Sequence, residues 1–283
     1  MLTINLFNGL VYGALLAIMC SGLALIYGLR RVVNFAHGSL YMLGAYLGYT
    51  VALHSGFWAA LVVVPALMAL LGVLLDRYGF RLLQGRDPLT VVLVTFGLLL
   101  IIEDAVQTIW GKESLSVAAP AWLGSSVDLL GTPVPAYRIG VIAMGLLVAV
   151  GLTLWMRLSR TGLFVRAAST DPATTAMQGV NTDALSATVV GLGTALAGMA
   201  GVVAAPFLAL SPSMSSDVLI DSFVVVVIGG LGSLGGAFAT ALVLGLVQSI
   251  GAVYLPALSA ILPFVLMIAV LLWKPSGLAG SRT

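Results

Sequence analysis

Read from the N-terminus, apolar residues gather into nine stretches, 4–28, 37–53, 57–76, 89–110, 138–156, 184–209, 219–233, 236–254 and 258–273, separated by short polar or glycine-rich breaks. Most fall within the roughly 17–25 residues that a helix needs to cross bilayer hydrocarbon, where every backbone polar group must be satisfied inside the segment. The pattern therefore predicts an all-α polytopic membrane protein of about eight or nine transmembrane helices. The seventh stretch is short and broken by glycine, so it is the one expected to be re-entrant or interrupted. Residues 1–283 are expected to form a single transmembrane domain, with a polar segment at 157–183 and a loop at 111–137 outside the bilayer.

Composition agrees with that reading. The chain is 60% hydrophobic and 8% charged, with a mean hydropathy of +1.14, which is suited to lipid rather than to a water-facing globule. No basic stretch precedes the first apolar run, and the run is too long for a signal-peptide core, so it reads as a retained span. Cys20 is the only cysteine and lies inside that run, where it reads as a small packing residue; an intrachain disulfide is impossible.

Charge gives the orientation. If the stretches alternate across the membrane, Arg30, Arg31, Arg77, Arg81, Arg86, Arg157, Arg160, Arg166, Lys274 and Arg282 share one side, while Lys112 and Arg138 take the other, ten of the twelve basic residues against two. The excess of Lys and Arg on cytoplasmic loops makes the first side cytoplasmic. The N-terminus is then outside and the C-terminus inside. The net charge of +2 is accounted for by this bias, which leaves no case for a nucleic-acid partner.

The polar segment RLSRTGLFVRAASTDPATTAMQGVNTD, 157–183, is the longest run in the C-terminal half that lipid would not accept. Asp171 can cap backbone N–H groups, Pro172 suits a first helical position, and Gly179 can take the left-handed conformation that stops a helix. The spacing predicts a cytoplasmic helix of about two turns. So short a helix is marginal alone in water. It reads either as a docking helix for a cytosolic partner or as a loop with one stray turn.

Glycine marks two further places. Gly191, Gly193, Gly198 and Gly201, interleaved with alanines, give the sixth stretch a small-residue face suited to close helix packing in lipid. In 229–236, GGLGSLGG, each glycine costs about 1 kcal/mol relative to alanine in a helix interior, so a break is expected. It reads as a tight turn at the cytoplasmic surface or as an interruption at membrane depth facing a watery path.

Few polar residues interrupt the apolar stretches. Asn34 and His37 lie in the first cytoplasmic connection, Arg30–Gly38, where His37 reads as an interfacial residue or as part of a transport path. Glu103 and Asp104, two thirds of the way along the fourth stretch, read as a path lining or helix anchor, or as a pair reaching headgroup water. Asp217 and Asp221, at the outer end of the seventh stretch, read as solvated. The external loop 111–137, bounded by Trp110 and Tyr137 and carrying Pro120, Pro133 and Pro135, reads as a docking face for a binding protein or as a plain cover.

No phosphate-binding loop G-x-x-x-x-G-K-[ST] occurs, and Lys112 and Lys274 are the only lysines; no H-E-x-x-H, G-x-S-x-G or Cys/His ligand cluster occurs either. Together with the cytosolic helix, this reads as the membrane half of a machine whose engine is another subunit. The alternative from a different class is a proton-coupled secondary transporter or channel working through Glu103 and Asp104.

Three stretches carry a resemblance over essentially the full length: NGLVYGALLAIMCSGLALIYGLRRVVNFAHGSLYMLGAY near the start, RAASTDPATTAMQGVN at 166–181, and VVIGGLGSLGGAFATALVLG at 226–245 followed by W-K-P-S-G-L. The chain resembles the LivH-type permeases of the branched-chain amino acid ABC transporter family. That resemblance implies a subunit of the bacterial-type inner membrane working with a related second permease in a heterodimer, two cytosolic ATPase subunits and an extracytoplasmic substrate-binding protein. ATP and Mg would be used by the ATPases, with no cofactor or metal bound by this chain and no catalytic residue in it. The cargo implied is a branched-chain or related amino acid, with urea, short amides and aromatic or carboxylic compounds as alternatives carried by relatives. The coupling helix would be Asp171 to Gln178, including Pro172 and Ala176, stopped by Gly179 and flanked by Arg166 and Asn181. The segments Asn34–Gly38 and 229–236 match family motifs, and Glu103 falls where a polar residue is usual in the family; the assignment of Asn34, His37, Glu103, Gly229, Gly230, Gly232 and Ser233 to the translocation path is our own inference from these matches.

Overall fold

The structure is a computed structural model in which residues 2–32, 34–129 and 132–279 are described. Arg282, placed above on the basic side, lies outside them, as does Val33 in the Arg30–Gly38 connection. Eleven helices follow in order: α1 (Leu2–Arg30), α2 (His37–Ser55), α3 (Phe57–Tyr78), α4 (Pro88–Trp110), α5 (Ala136–Leu158), α6 (Arg160–Thr170), α7 (Pro172–Met177), α8 (Thr182–Ala204), α9 (Met214–Gly229), α10 (Leu234–Tyr254) and α11 (Leu262–Trp273) among the described residues. Among the described residues, six helical segments are long and apolar enough to cross a membrane: α1, α3 with the turn after it, α4, α5, α8 and α10. The protein is thus a polytopic helical membrane protein. α9 and α11, of 16 and 12 residues, reach only about 24 and 18 Å.

The chain is not purely α-helical. The loop after α4 folds into a hairpin of β1 (Ser126–Leu129) and β2 (Thr132–Pro135), with Val127 opposite Val134. Two prolines fit in β2 because a two-stranded ribbon leaves one edge free of ladder bonds. The same loop is tied down at Leu115, which exchanges both backbone hydrogen bonds with Leu210 (3.0 and 2.8 Å), and at Trp122, stacked on Trp58 with 5.3 Å between ring centres.

Close backbone contact organises the bundle around α8, which packs between α1, α2 and α3. A Cβ on Gly193 would strike Ile26 and Gly22, on Gly198 it would strike Met68, and on Gly201 the backbone of Tyr41 and Ala45; Gly44 lies directly on Gly198. Small residues let helices approach closely enough for dispersion to hold them together in lipid, where no hydrophobic drive separates protein from solvent. The small-residue face expected for the sixth stretch is therefore the bundle's centre, although α8 stops at Ala204 and residues 205–213 are irregular rather than helical.

All described basic residues except Lys112 and Arg138 collect at one end of the bundle, at the last turns of α1, α3 and α5, in α6 and just after α11. At the opposite end Arg138 donates to Asn8 and lies over the ring of Phe207.

One placement departs from the sequence reading. α2 does not begin at the basic end. The His37 imidazole Nε2 is hydrogen-bonded to the carbonyl of Met19 at 3.1 Å, eleven residues and about 16 Å along α1 from Arg30. The Arg31–Ala36 connection thus turns back into the bundle, and α2 starts near mid-depth.

Candidate functional site

The polar segment forms two helices rather than one. Ser159 caps α6, its Oγ accepting from the Gly162 N–H at 2.9 Å, a start that the sequence reading missed. α7 matches the expected short helix. Asp171 accepts from the Thr174 N–H at 3.0 Å and from the Thr174 hydroxyl, Pro172 opens the helix, and Gly179 follows with φ +83°. These bonds, the hydroxyl's first and the backbone's second, hold the Asp171 carboxyl below the usual carboxylate range. Asn181 caps α8 in turn, accepting from Ala184 N at 2.9 Å. Apart from Thr175, every residue from Asp171 to Gly179, with Ala176 and Gln178 among them, is exposed; Met177 is 78% exposed, an apolar side chain offered to the aqueous end. Arg166 is exposed on α6.

A buried ion network holds the base of this segment. Asp76, fully buried near the end of α3, accepts from Arg30 of α1, from Arg81 Nε at 3.2 Å and from the Ser186 hydroxyl of α8 at 2.9 Å. Arg81 continues to Asp183, donating to its carbonyl at 2.8 Å and pairing with its carboxylate at 3.5 Å. Arg31, in the left-handed region at φ 53°, donates to the carbonyl of Ser169 at the end of α6, 3.0 Å away. The ends of α1 and α3 are therefore joined to both flanks of α7. Sequence reasoning passed over Asp76. The signal was present, since it is the first acidic residue in the chain and stands among Arg30, Arg31, Arg77 and Arg81.

Of the residues singled out for a path, Asn34 and His37 come together in the interior and Glu103 stands close by. Asn34 Oδ1 accepts from the Ala36 N–H at 3.1 Å. His37 is fully buried, so it is not an interfacial residue. Gly38 packs directly on the Ser215 carbonyl, and the Ser215 hydroxyl donates to Glu103. Glu103 thus anchors α4 to the start of α9, whereas Asp104 is exposed on the other face of α4. Asp221 is not solvated. It is buried, and it accepts from the Tyr12 hydroxyl at 2.6 Å and from Gln248 at 2.8 Å, which ties α9 to α1 and α10. Asp217 is exposed, as expected.

Gly229, Gly230, Gly232 and Ser233 lie apart from that cluster. They form a tight turn at the basic end, with Gly230 and Gly232 at φ +97° and +86°, Gly232 against Gly28 and Ser233 capping α10 through Gly236 N at 3.1 Å. The C-terminal residues Leu278 and Ala279 donate to the carbonyls of Ile228 and Gly229 at 2.7 and 3.1 Å. The break is therefore a turn and not an interruption at mid-membrane.

Residues 5–271 match the family described as "Branched-chain amino acid transport system / permease component". The chain is 29% identical to the high-affinity branched-chain amino acid transport system permease protein BraD of Pseudomonas aeruginosa, covering 98% of this chain and 95% of that protein. It is 27% identical to the corresponding permease protein LivH of Salmonella typhimurium, over 98% and 94%, and 24% identical to a probable LivH permease of Methanocaldococcus jannaschii, over 96% and 91%. No solved structure matches the chain.

Proposed function

Since the chain belongs to the branched-chain amino acid transport permease family, we propose that it is the membrane-spanning subunit of an ATP-driven importer of branched-chain or related amino acids, coupled to its ATPase through α7. Its place is the inner membrane. The N-terminus lies outside and the C-terminus inside, because the basic end collects all but two of the described cationic side chains. Hydrolysis belongs to two partner ATPase subunits, delivery to an extracytoplasmic binding protein, and a related second permease completes the membrane part.

The observation that carries this reading is α7 itself: a helix capped at both ends, standing out at the basic end with Met177 exposed, and joined at its base to α1, α3 and α8 by the Asp76–Arg81–Asp183 network. Movement of an ATPase against α7 would be passed to the ends of three core helices. Such a connection makes nucleotide-driven closure and the state of the bundle bias one another. Glu103, Asn34 and His37 line the interior nearest the start of α2, where a solute path would meet polar groups; Gly229–Ser233 serve the turn.

Cys20 is buried, so a single introduced cysteine can be addressed selectively. Met177→Cys in the assembled transporter should cross-link to the ATPase subunit and react with an impermeant maleimide only in inside-out vesicles, while Lys112→Cys should react only in right-side-out vesicles. Labelling of both cysteines from the same side would overturn the topology, and an assembled complex without the Met177→Cys cross-link would overturn the role of α7.

A further inference from the structure

Because α2 begins at the depth of Met19, the space between its start and the basic end is enclosed by α1, the α3–α4 connection and the first turns of α4. It holds a cavity of about 240 Å³, room for a solute of about eight non-hydrogen atoms by comparison with about 30 Å³ per water. Asn34 and Thr95, both buried, are among its lining residues, and the Asn34 amide nitrogen has no partner. Ile26, Phe80 and Val91 supply apolar wall. Gln84 and Arg86, exposed, stand where the cavity meets the aqueous end, and Pro172, the first residue of α7, completes the lining.

Its chemistry is one-sided. Arg30 spends one guanidinium nitrogen on Asp76 and another on the Phe80 carbonyl, but its Nε is buried and without a partner. Arg86 has no ion-pair partner among the described residues. No carboxylate lines the cavity: Asp76 is committed to its network, and Asp87, beside Arg86 in sequence, is exposed outside it.

We propose that this cavity is a binding site for a small aliphatic carboxylate entering from the basic, aqueous end. The carboxylate would meet Arg86, the Arg30 Nε and the Asn34 amide, and the tail would lie on Ile26, Phe80 and Val91. An ammonium group finds no acceptor of opposite charge, so the site prefers a simple carboxylate to a zwitterionic amino acid. By that preference it differs from a site for the amino-acid cargo, although Asn34 belongs to both the cavity and the interior polar cluster. Since Pro172 forms part of the wall, occupancy and the position of α7 are thermodynamically linked.

The test is titration of the complete transporter, in nanodiscs of zwitterionic lipid, with 4-methylpentanoate followed by calorimetry. Saturable binding is expected, weakened at least about fivefold by Arg86→Gln and abolished by Val91→Phe, which fills the cavity, with leucine and 3-methylbutylamine binding at least about tenfold more weakly. Absence of saturable binding up to about 10 mM, or equal affinity for the amine and the carboxylate, would overturn it. So would affinity unchanged in Arg86→Gln. This last variant sits on an exposed turn and keeps the test valid if Val91→Phe does not fold.

Discussion

Asp76→Ala tests the ion network at the base of the coupling segment. The carboxylate is fully buried and receives two guanidinium groups and a hydroxyl. A unit charge pair 3.2 Å apart, the Arg81–Asp76 separation, is worth about 5 kcal/mol before desolvation at an effective dielectric of about 20. Arg81, 27% exposed, keeps Asp183 and can rehydrate. Arg30, 11% exposed, rehydrates far less. The loss is therefore dominated by a buried, unpaired Arg30, and breaking a buried pair from one side costs about 3–5 kcal/mol. Replacing both partners, Arg30→Met with Asp76→Leu, removes the stranded charge and should return stability to within about 1–2 kcal/mol of the parent. Reversible unfolding in mixed micelles, titrated with SDS, measures both. The reasoning fails if Asp76→Ala stays within about 1 kcal/mol of the parent, or if the double replacement is no more stable than the single one.

Two further outcomes concern α7. Gly179 has φ +83° and open space around it, so Gly179→Val meets only a backbone penalty of about 1–2 kcal/mol; it should lower binding-protein-stimulated ATPase activity at unchanged expression, with Gly179→Asn intermediate, and unchanged stimulation in Gly179→Val would refute the stop. The Asp171 carboxyl is held below its ordinary range chiefly by the Thr174 hydroxyl. A depressed folded-state value means that the cap's contribution is present above the unfolded pKa and is lost as pH falls through the folded one. Thr174→Val should move the Asp171 titration upward, read by carboxyl NMR, and an unmoved titration would show that the hydroxyl contributes nothing.

α7 was legible in the sequence because its signals are local: Asp171, Pro172 and Gly179 act within one or two turns of themselves. The small-residue face of α8 was legible for a related reason, since its spacing announces close packing whatever the neighbour. α6 was missed because Arg160, Gly162 and Arg166 obscure its apolar side, leaving Ser159 as the only start signal. Non-local relations were not legible. Asp76 and Asp221 look like ordinary charges near span ends until α1, α8 and α10 supply their partners. The depth of His37 follows from the path of the Arg31–Ala36 connection, which no periodicity records. The pairing of 126–129 with 132–135 falls in a proline-bearing loop, where alternation is weak.

The position of α8 has a consequence for biosynthesis. α1, α2 and α3 each pack on α8, and α2 starts too deep to cross the membrane on its own. At about 5–20 residues per second, α8 emerges some 150 residues after α2, about 8–30 s later. Through that interval the first three helices sit in the bilayer with glycine-lined faces unfilled and His37 and Asp76 short of their final surroundings. Quality control of this permease thus falls on a partly built bundle, in which the facing surfaces of α2 and α3 are filled by a single late helix.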